Sequence, residues 1–169
     1  MPAAVPKLAD LLVAAQRRAL HLEMRDTYAR SPRFLAWQSG KPPGRNEADA
    51  QWHALLAPLV ARGGDLRRLR IVSEPLSEYV RYEYEVTPLA NLAGGEAVRW
   101  LPRDKASDLR FPGNDFWLID DYLLFNLASG DGDSLGVQPN DDASVIAFCA
   151  ESFEAAWRRA INHDDYRPT

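Results

Sequence analysis

The sequence predicts an α/β domain: a mixed sheet of about four strands flanked by helices, with an N-terminal helical pair and a long C-terminal helix. Three observations carry this. The stretch from Leu66 to Tyr84, LRRLRIVSEPLSEYVRYEY, reads as a strand, a sharp break and an amphipathic helix. The runs DFWLID, from Asp115, and YLLFNL, from Tyr122, flank Asp120-Asp121 and read as a hairpin, or as one strand broken at the acidic pair. From Val145 onward, apolar residues recur at helical spacing for five turns.

In the first stretch, β-branched Ile71 and Val72 suit a pleated, enclosed setting. A short apolar run of this kind also fits a buried helix, but Pro75 sets the boundary, because it lacks an N–H and pushes Glu74 away from helical angles. Pro75 suits the first turn of a new helix, with Ser73 or Glu74 as cap. Leu76, Tyr79, Val80 and Glu83 follow at helical spacing, and the helix is expected to end near Thr87-Pro88 or to run broken to Leu92. Ala97, Val98, Trp100 and Leu101 make the next strand, ended by Pro102. A crossover of this length favours parallel, right-handed pairing.

Residues 1–6 are expected to fray, and Leu8, Leu11, Leu12, Ala15, Ala19 and Leu22 predict one helix over Lys7–Met24, with His21 solvated on its flank. Tyr28–Gly40 reads as a short helical turn holding Phe34, Leu35 and Trp37. Glu47–Ala61 is a second helix, capped by Asn46 and stopped by Gly63-Gly64. Asp104–Leu109 reads as one helical turn and Ala128–Pro139 as a flexible loop. On the last helix Phe148, Cys149, Phe153, Ala156, Trp157, Ala160 and Ile161 share a face, with Asp141 and Asp142 at its positive start and Arg158 and Arg159 near its end. A single domain over 1–169 is expected: 1–64 mainly helical, 65–139 strand-rich, 140–166 the C-terminal helix.

Composition excludes several chemistries. The net charge of −4 gives no global pull toward nucleic acid or an acidic membrane. Cys149 is the only cysteine, so neither an internal disulfide nor a thiolate cluster is available. His21, His53 and His163 lack ligand spacing, and no nucleotide-binding glycine loop or G-x-S-x-G occurs, so no metal, cofactor or catalytic set is expected. The apolar run Leu11–Ala15 is too short for a signal peptide, and no segment approaches a membrane span, so a cytoplasmic protein is the expectation.

Two clusters remain. Arg67, Arg68, Arg70, Arg81, Arg99 and Arg103 are basic; Asp115, Phe116, Trp117, Asp120 and Asp121 are acidic and aromatic, with Glu74 and Glu83 near them. Alternation puts Arg68 and Arg70 on one strand face. Either these groups pair as structural salt bridges, or they converge on a shared rim as a polar pocket, since Arg can hold a carboxylate or phosphate in two parallel bonds. On the second reading the candidate ligand-binding residues are Glu74, Tyr79, Arg81, Glu83, Arg99, Arg103, Asp115, Trp117 and Asp120, and the ligand is small and anionic.

The phrases FLAWQSG, RRLRIVSEPLSEYVRYEY, AGGEAVRWLPR, NDFWLIDDYLLFNL and AWRRAINHDDY resemble, in this order, an actinobacterial family of uncharacterised proteins often encoded beside helix-turn-helix regulators. The resemblance covers nearly the whole chain after Tyr28 and implies a regulatory or accessory protein with a protein partner, such a regulator being the candidate. The order strand, helix, strand and an apolar pair around an acidic turn also resembles a phospholipase D-like module. That reaction takes a His and a Lys from its last hairpin; Asn114–Leu127 contains neither, which implies a non-catalytic relative. An enzyme using Asp120, Asp121 or Glu83 as general base is the alternative.

Overall fold

The computed structural model describes residues 5–169, so most of the segment expected to fray lies outside the described residues. Its elements are α1 (Leu8–Ala14), β1 (Arg18–Glu23), α2 (Pro32–Gln38), α3 (Glu47–Ala61), β2 (Asp65–Val72), α4 (Glu78–Ala90), β3 (Ala97–Pro102), β4 (Asp115–Ile119), β5 (Tyr122–Ala128), β6 (Ser134–Asn140), α5 (Ala143–Arg159) and β7 (Ile161–Asn162). The expected α/β class holds, but the sheet has seven strands rather than about four, in the order β6-β5-β4-β1-β2-β3-β7. β1, β2 and β3 run parallel, joined by crossovers through α3 and α4. β4 returns antiparallel beside β1, and β4–β5–β6 is a meander.

Two expectations fail for physical reasons. The helix predicted over Lys7–Met24 stops at Ala14, and its second half is the central strand β1. Asp120 causes the break: its carboxylate accepts the backbone N–H groups of Gln16 (2.9 Å), Arg17 (2.8 Å) and Arg18 (3.1 Å), which a continuing helix would need. The loop predicted over Ala128–Pro139 contains β6, whose turn is tight at Gly132. A Cβ on Gly132 would lie 2.7 Å from the Thr27 carbonyl oxygen, so the turn rests directly on backbone. Smaller corrections concern caps and ends. Ser77, not Ser73 or Glu74, caps α4: its hydroxyl oxygen accepts the Val80 N–H at 3.1 Å. Helix α5 ends at Arg159, and Ile161 belongs to β7.

Alternation along the strands sorts the core. One face carries Leu20, Leu22, Leu69, Ile71, Leu101, Phe116 and Leu118, sealed by Cys149, Phe153 and Ala156 of α5. The other carries Ala19, Leu66, Trp117 and Ile119 under Leu12 of α1 and Leu56 and Leu59 of α3. Val72, Val98 and Trp100 continue that face beneath Val80 of α4 and Tyr166. Among the described residues, no helix is long and apolar enough to cross a membrane.

Candidate functional site

The face under α3 and α4 is polar at its centre. The same alternation that buries Leu20 and Leu22 on one side puts His21 and Glu23 of β1 on the other, beside Arg68 and Arg70 of β2 and Asp115 and Trp117 of β4. Glu83 and Thr87 enter from α4, and Asn91 and Glu96 from the connection to β3. Each of these groups is buried, none more than 8% exposed.

They bond to one another. Arg68 donates from Nε to Glu96 Oε2 at 2.7 Å and from Nη1 to Glu23 Oε1. Arg70 donates from Nε to Glu23 Oε2 (2.7 Å) and from Nη1 to Thr87 Oγ1 (2.6 Å). Glu96 also accepts from Trp52 Nε1 (2.7 Å) and Asn91 Nδ2 (2.9 Å). Glu83 stands farther off, 3.8 Å from Arg70 Nη2. Trp117 and Trp100 lie 5.5 and 5.0 Å from the Arg68 and Arg70 guanidinium carbons, shielding both charges.

Charge counting explains the protonation pattern. Arg68 and Arg70 face three glutamates, Glu23, Glu83 and Glu96. Burial opposes ionisation of Glu23, but Arg68 and then Arg70 override it and hold the carboxyl well below the usual range. Burial likewise opposes ionisation of Glu96, and the charge and hydrogen bonds of Arg68 override it. Glu83 is the surplus acid: burial pushes it up to about 7 against the attraction of Arg70. Burial raises Asp115 to about 6, although Tyr28 Oη–H and the Met24 N–H both donate to its carboxylate. Burial, reinforced by Arg68, lowers His21 to about 3, so its imidazole is neutral.

A second feature lies outside the mesh, at the carboxyl ends of β2 and β3, where open α/β sheets commonly hold ligands. Ser73, Glu74, Arg103, Asp104 and Ser107 line an open depression of about 510 Å³. Arg103 donates to Ser73 Oγ (3.1 Å), Met24 O (2.6 Å) and Ile71 O (3.2 Å) and lies 3.5 Å from Asp26. Glu74 accepts from Tyr166 Oη–H at 2.5 Å.

The shared rim anticipated for the nine candidate residues therefore divides. Glu83, Asp115 and Trp117 join Arg68 and Arg70 in the mesh, while Glu74 and Arg103 line the depression. Tyr79 packs against Phe34 and Tyr82 in an aromatic cluster. Arg81 is exposed on α4. Arg99 lies on the α5 face, bonded to Asn162 and the Trp157 carbonyl, and Asp120 caps the opposite end of β1. Sequence reasoning missed Glu23, Glu96, Tyr28 and His21; it put His21 on a solvated helix flank. The alternation in RALHLE was the available signal for His21 and Glu23. Cys149, placed by its spacing on the apolar face of the last helix, is fully buried.

Known structures share this architecture at low identity. NucT from Helicobacter pylori superposes with a TM-score of 0.51 at 13% identity, over 92% of this chain and 87% of that one. A phospholipase D family member, Nuc from Salmonella typhimurium, gives 0.49 at 9% identity, over 94% and 88%. The archaeal chromatin protein TrmBL2 gives 0.47 at 16% identity, over 90% of this chain and 47% of that one, so this chain spans about half its length. The likeness to NucT bears on fold alone. No curated protein matches in sequence. Residues 6–168 match one family model, and the chain belongs to that family, a domain of unknown function (DUF6879).

Proposed function

We propose that this chain is a non-catalytic binding protein, regulatory or accessory, that acts by holding a protein partner. One observation carries the reading: the charged side chains gathered under α3 and α4 are buried and bonded to each other, so they stabilise a scaffold and are not presented to a substrate. The absence of His and Lys from Asn114–Leu127 supports it from the sequence side. A helix-turn-helix regulator encoded beside the gene is the partner that the family resemblance favours. The depression at Arg103 is the place for a small anionic ligand. Co-purification followed by size-exclusion chromatography and titration calorimetry tests the partner: a stoichiometric complex is expected, and no association with any neighbouring gene product would sink the reading.

A second reading, a small enzyme acting on an anionic substrate, draws on Glu83, whose carboxyl at about 7 suits a general base. It requires α4 to lift and expose Glu83. Turnover of a phosphate- or carboxylate-bearing substrate that vanishes in Glu83→Gln would favour it over the first.

A further inference from the structure

We infer that the free edge of β6 is a docking strand for a basic, extended segment of a protein partner, added to the sheet by backbone pairing. This rests on the protein-partner reading above and specifies the surface and the chemistry of the partner.

The sheet ends in two unlike edges. β7 is two residues long, a length that limits edge pairing. β6 is seven residues long, pairs with β5 on one side, and is exposed from Ser134 to Pro139. Long edges are usually blunted by charges, prolines or bulges. SLGVQPN carries no charge; its pairing with β5 is bulged at Leu135, between the partners of Leu127 and Ala128, and it exposes Leu135 at 67% and Val137 at 45%. Pro139 lacks an N–H and closes the ladder at one end, leaving Ser134–Gln138 to receive a strand. In strand addition, main-chain bonds supply affinity and alternate side chains supply specificity.

The charges around this edge select the occupant. Asp131 and Asp133 precede the strand, Asp141 and Asp142 follow it, and residues 130–142 contain no Lys or Arg. A second copy of the chain pairing antiparallel through β6 would set Asp131 and Asp133 against Asp141 and Asp142, and parallel pairing would align like with like; both repel. A segment with Lys or Arg at each end of an uncharged, alternating core meets acids at both ends. Two neighbouring cations do not cancel this pattern. Arg25 is turned under the strand's root, donating to Ala128 O (3.2 Å) and Ser129 O (2.8 Å). Arg30 shares the open depression of about 640 Å³ beside Gly130, Asp131 and Asp133, where it meets one end only.

The test uses the full chain and three synthetic probes: a peptide Lys-Lys-Thr-Val-Thr-Val-Thr-Lys-Lys, the same peptide with Glu for Lys, and the Lys peptide N-methylated on alternate core residues. The Lys peptide is expected to bind in calorimetry and to slow amide exchange over residues 134–138, weakening about tenfold or more as salt rises from 50 to 500 mM. The Glu and N-methylated peptides are expected not to bind. Val137→Pro should abolish binding at an unchanged fold, and the N-methylated peptide tests the same point without altering the protein. Equal binding of the N-methylated or Glu peptide overturns the inference, as does a concentration-dependent homodimer abolished by Val137→Pro. If a regulator binds Val137→Pro and wild type alike, the β6 site is wrong and the partner reading stands. If the Lys peptide docks and no protein partner exists, the partner reading fails and the edge remains a docking strand.

Discussion

His21 stacks on Trp117 with ring centroids 4.0 Å apart and planes 13° apart, inside a site that also holds Arg68 at 5.5 Å from the same indole. A charged imidazole there would face a buried guanidinium. Its Nδ1 has no hydrogen-bond partner among the described residues; Glu23 Oε1 is 3.4 Å away. Burial first, and Arg68 second, therefore lower His21 to about 3. The unfolded chain binds this proton near pH 6.5 and the folded chain only near 3, so His21 subtracts stability as pH falls through that window. NMR should show no titration of the His21 ring between pH 5 and 8. His21→Phe should flatten the acid limb of the stability curve relative to wild type; an unchanged limb would show that the ring already takes up its proton in the fold.

Removing one member of the mesh should cost more than the mesh contributes as a whole. Arg68→Ala strands Glu23 and Glu96 in a buried site, and a broken buried ion pair costs about 3–5 kcal/mol. Urea unfolding at pH 7 measures this. The loss should shrink toward pH 4, where both carboxyls can take up protons once Arg68 no longer depresses them. A cost below about 1 kcal/mol would mean that water already reaches the glutamates.

Glu83 acts with the opposite sign. Its folded value of about 7 lies above the ordinary 4.5, so the folded state holds the proton more tightly. That contribution is present below pH 4.5 and is lost as pH rises through 7. Glu83→Gln removes the titration. The variant should gain on wild type by up to about 1.4 kcal/mol per pH unit across this window. Melting curves at pH 5 and pH 8 check it, and a constant offset between the two proteins would refute it.

Asp120, a candidate ligand-binding residue by sequence, instead accepts three backbone N–H groups where α1 gives way to β1. It also turns the β4–β5 hairpin at φ 50°, a left-handed conformation that Asp tolerates better than most residues. Asp120→Ala should lower stability by about 1–2 kcal/mol, since the freed N–H groups are near enough to solvent to recover part of the loss. Partner or ligand binding should be unaffected, and a selective loss of binding at full stability would restore Asp120 to a site.

The parallel β2–α4–β3 unit was legible because its apolar period changes from strand-like to helical across Pro75, a signal carried within one short stretch. β1 was not, because ALHL offers leucines at spacings that both a helix stripe and an alternating strand accept. The contact that decides between them comes from Asp120, about a hundred residues away. β6 escaped for a related reason: SLGVQPN has weak strand propensity, and pairing with β5 makes it a strand. The mesh was half readable. Arg68 and Arg70 sit two apart on one strand, so their shared face follows from sequence; Glu23, Glu83 and Glu96 arrive from three separate elements, and only the assembled sheet brings them together.

Trp157 anchors α5 through a different arrangement from the fully buried core. It is half-buried, stacks on Phe153 at 5.6 Å, and has the guanidinium groups of Arg67 (5.0 Å) and Arg99 (4.6 Å) against its ring. Arg99 also donates to the Trp157 carbonyl at 2.9 Å, so β3 grips the helix by backbone as well as by ring. A fully buried Trp→Ala change costs about 3–5 kcal/mol; partial exposure reduces the apolar share, while two cation–π contacts add about 0.5–1 kcal/mol each. Trp157→Ala should therefore cost about 2–4 kcal/mol. Trp157→Phe keeps the stack and weakens the cation–π contacts, so it should recover more than half of the loss in a thermal melt. If Phe recovers nothing, the indole holds α5 mainly through its pairing with the arginines; if Ala costs nothing, α5 is held by Cys149, Phe153 and Ala156 alone.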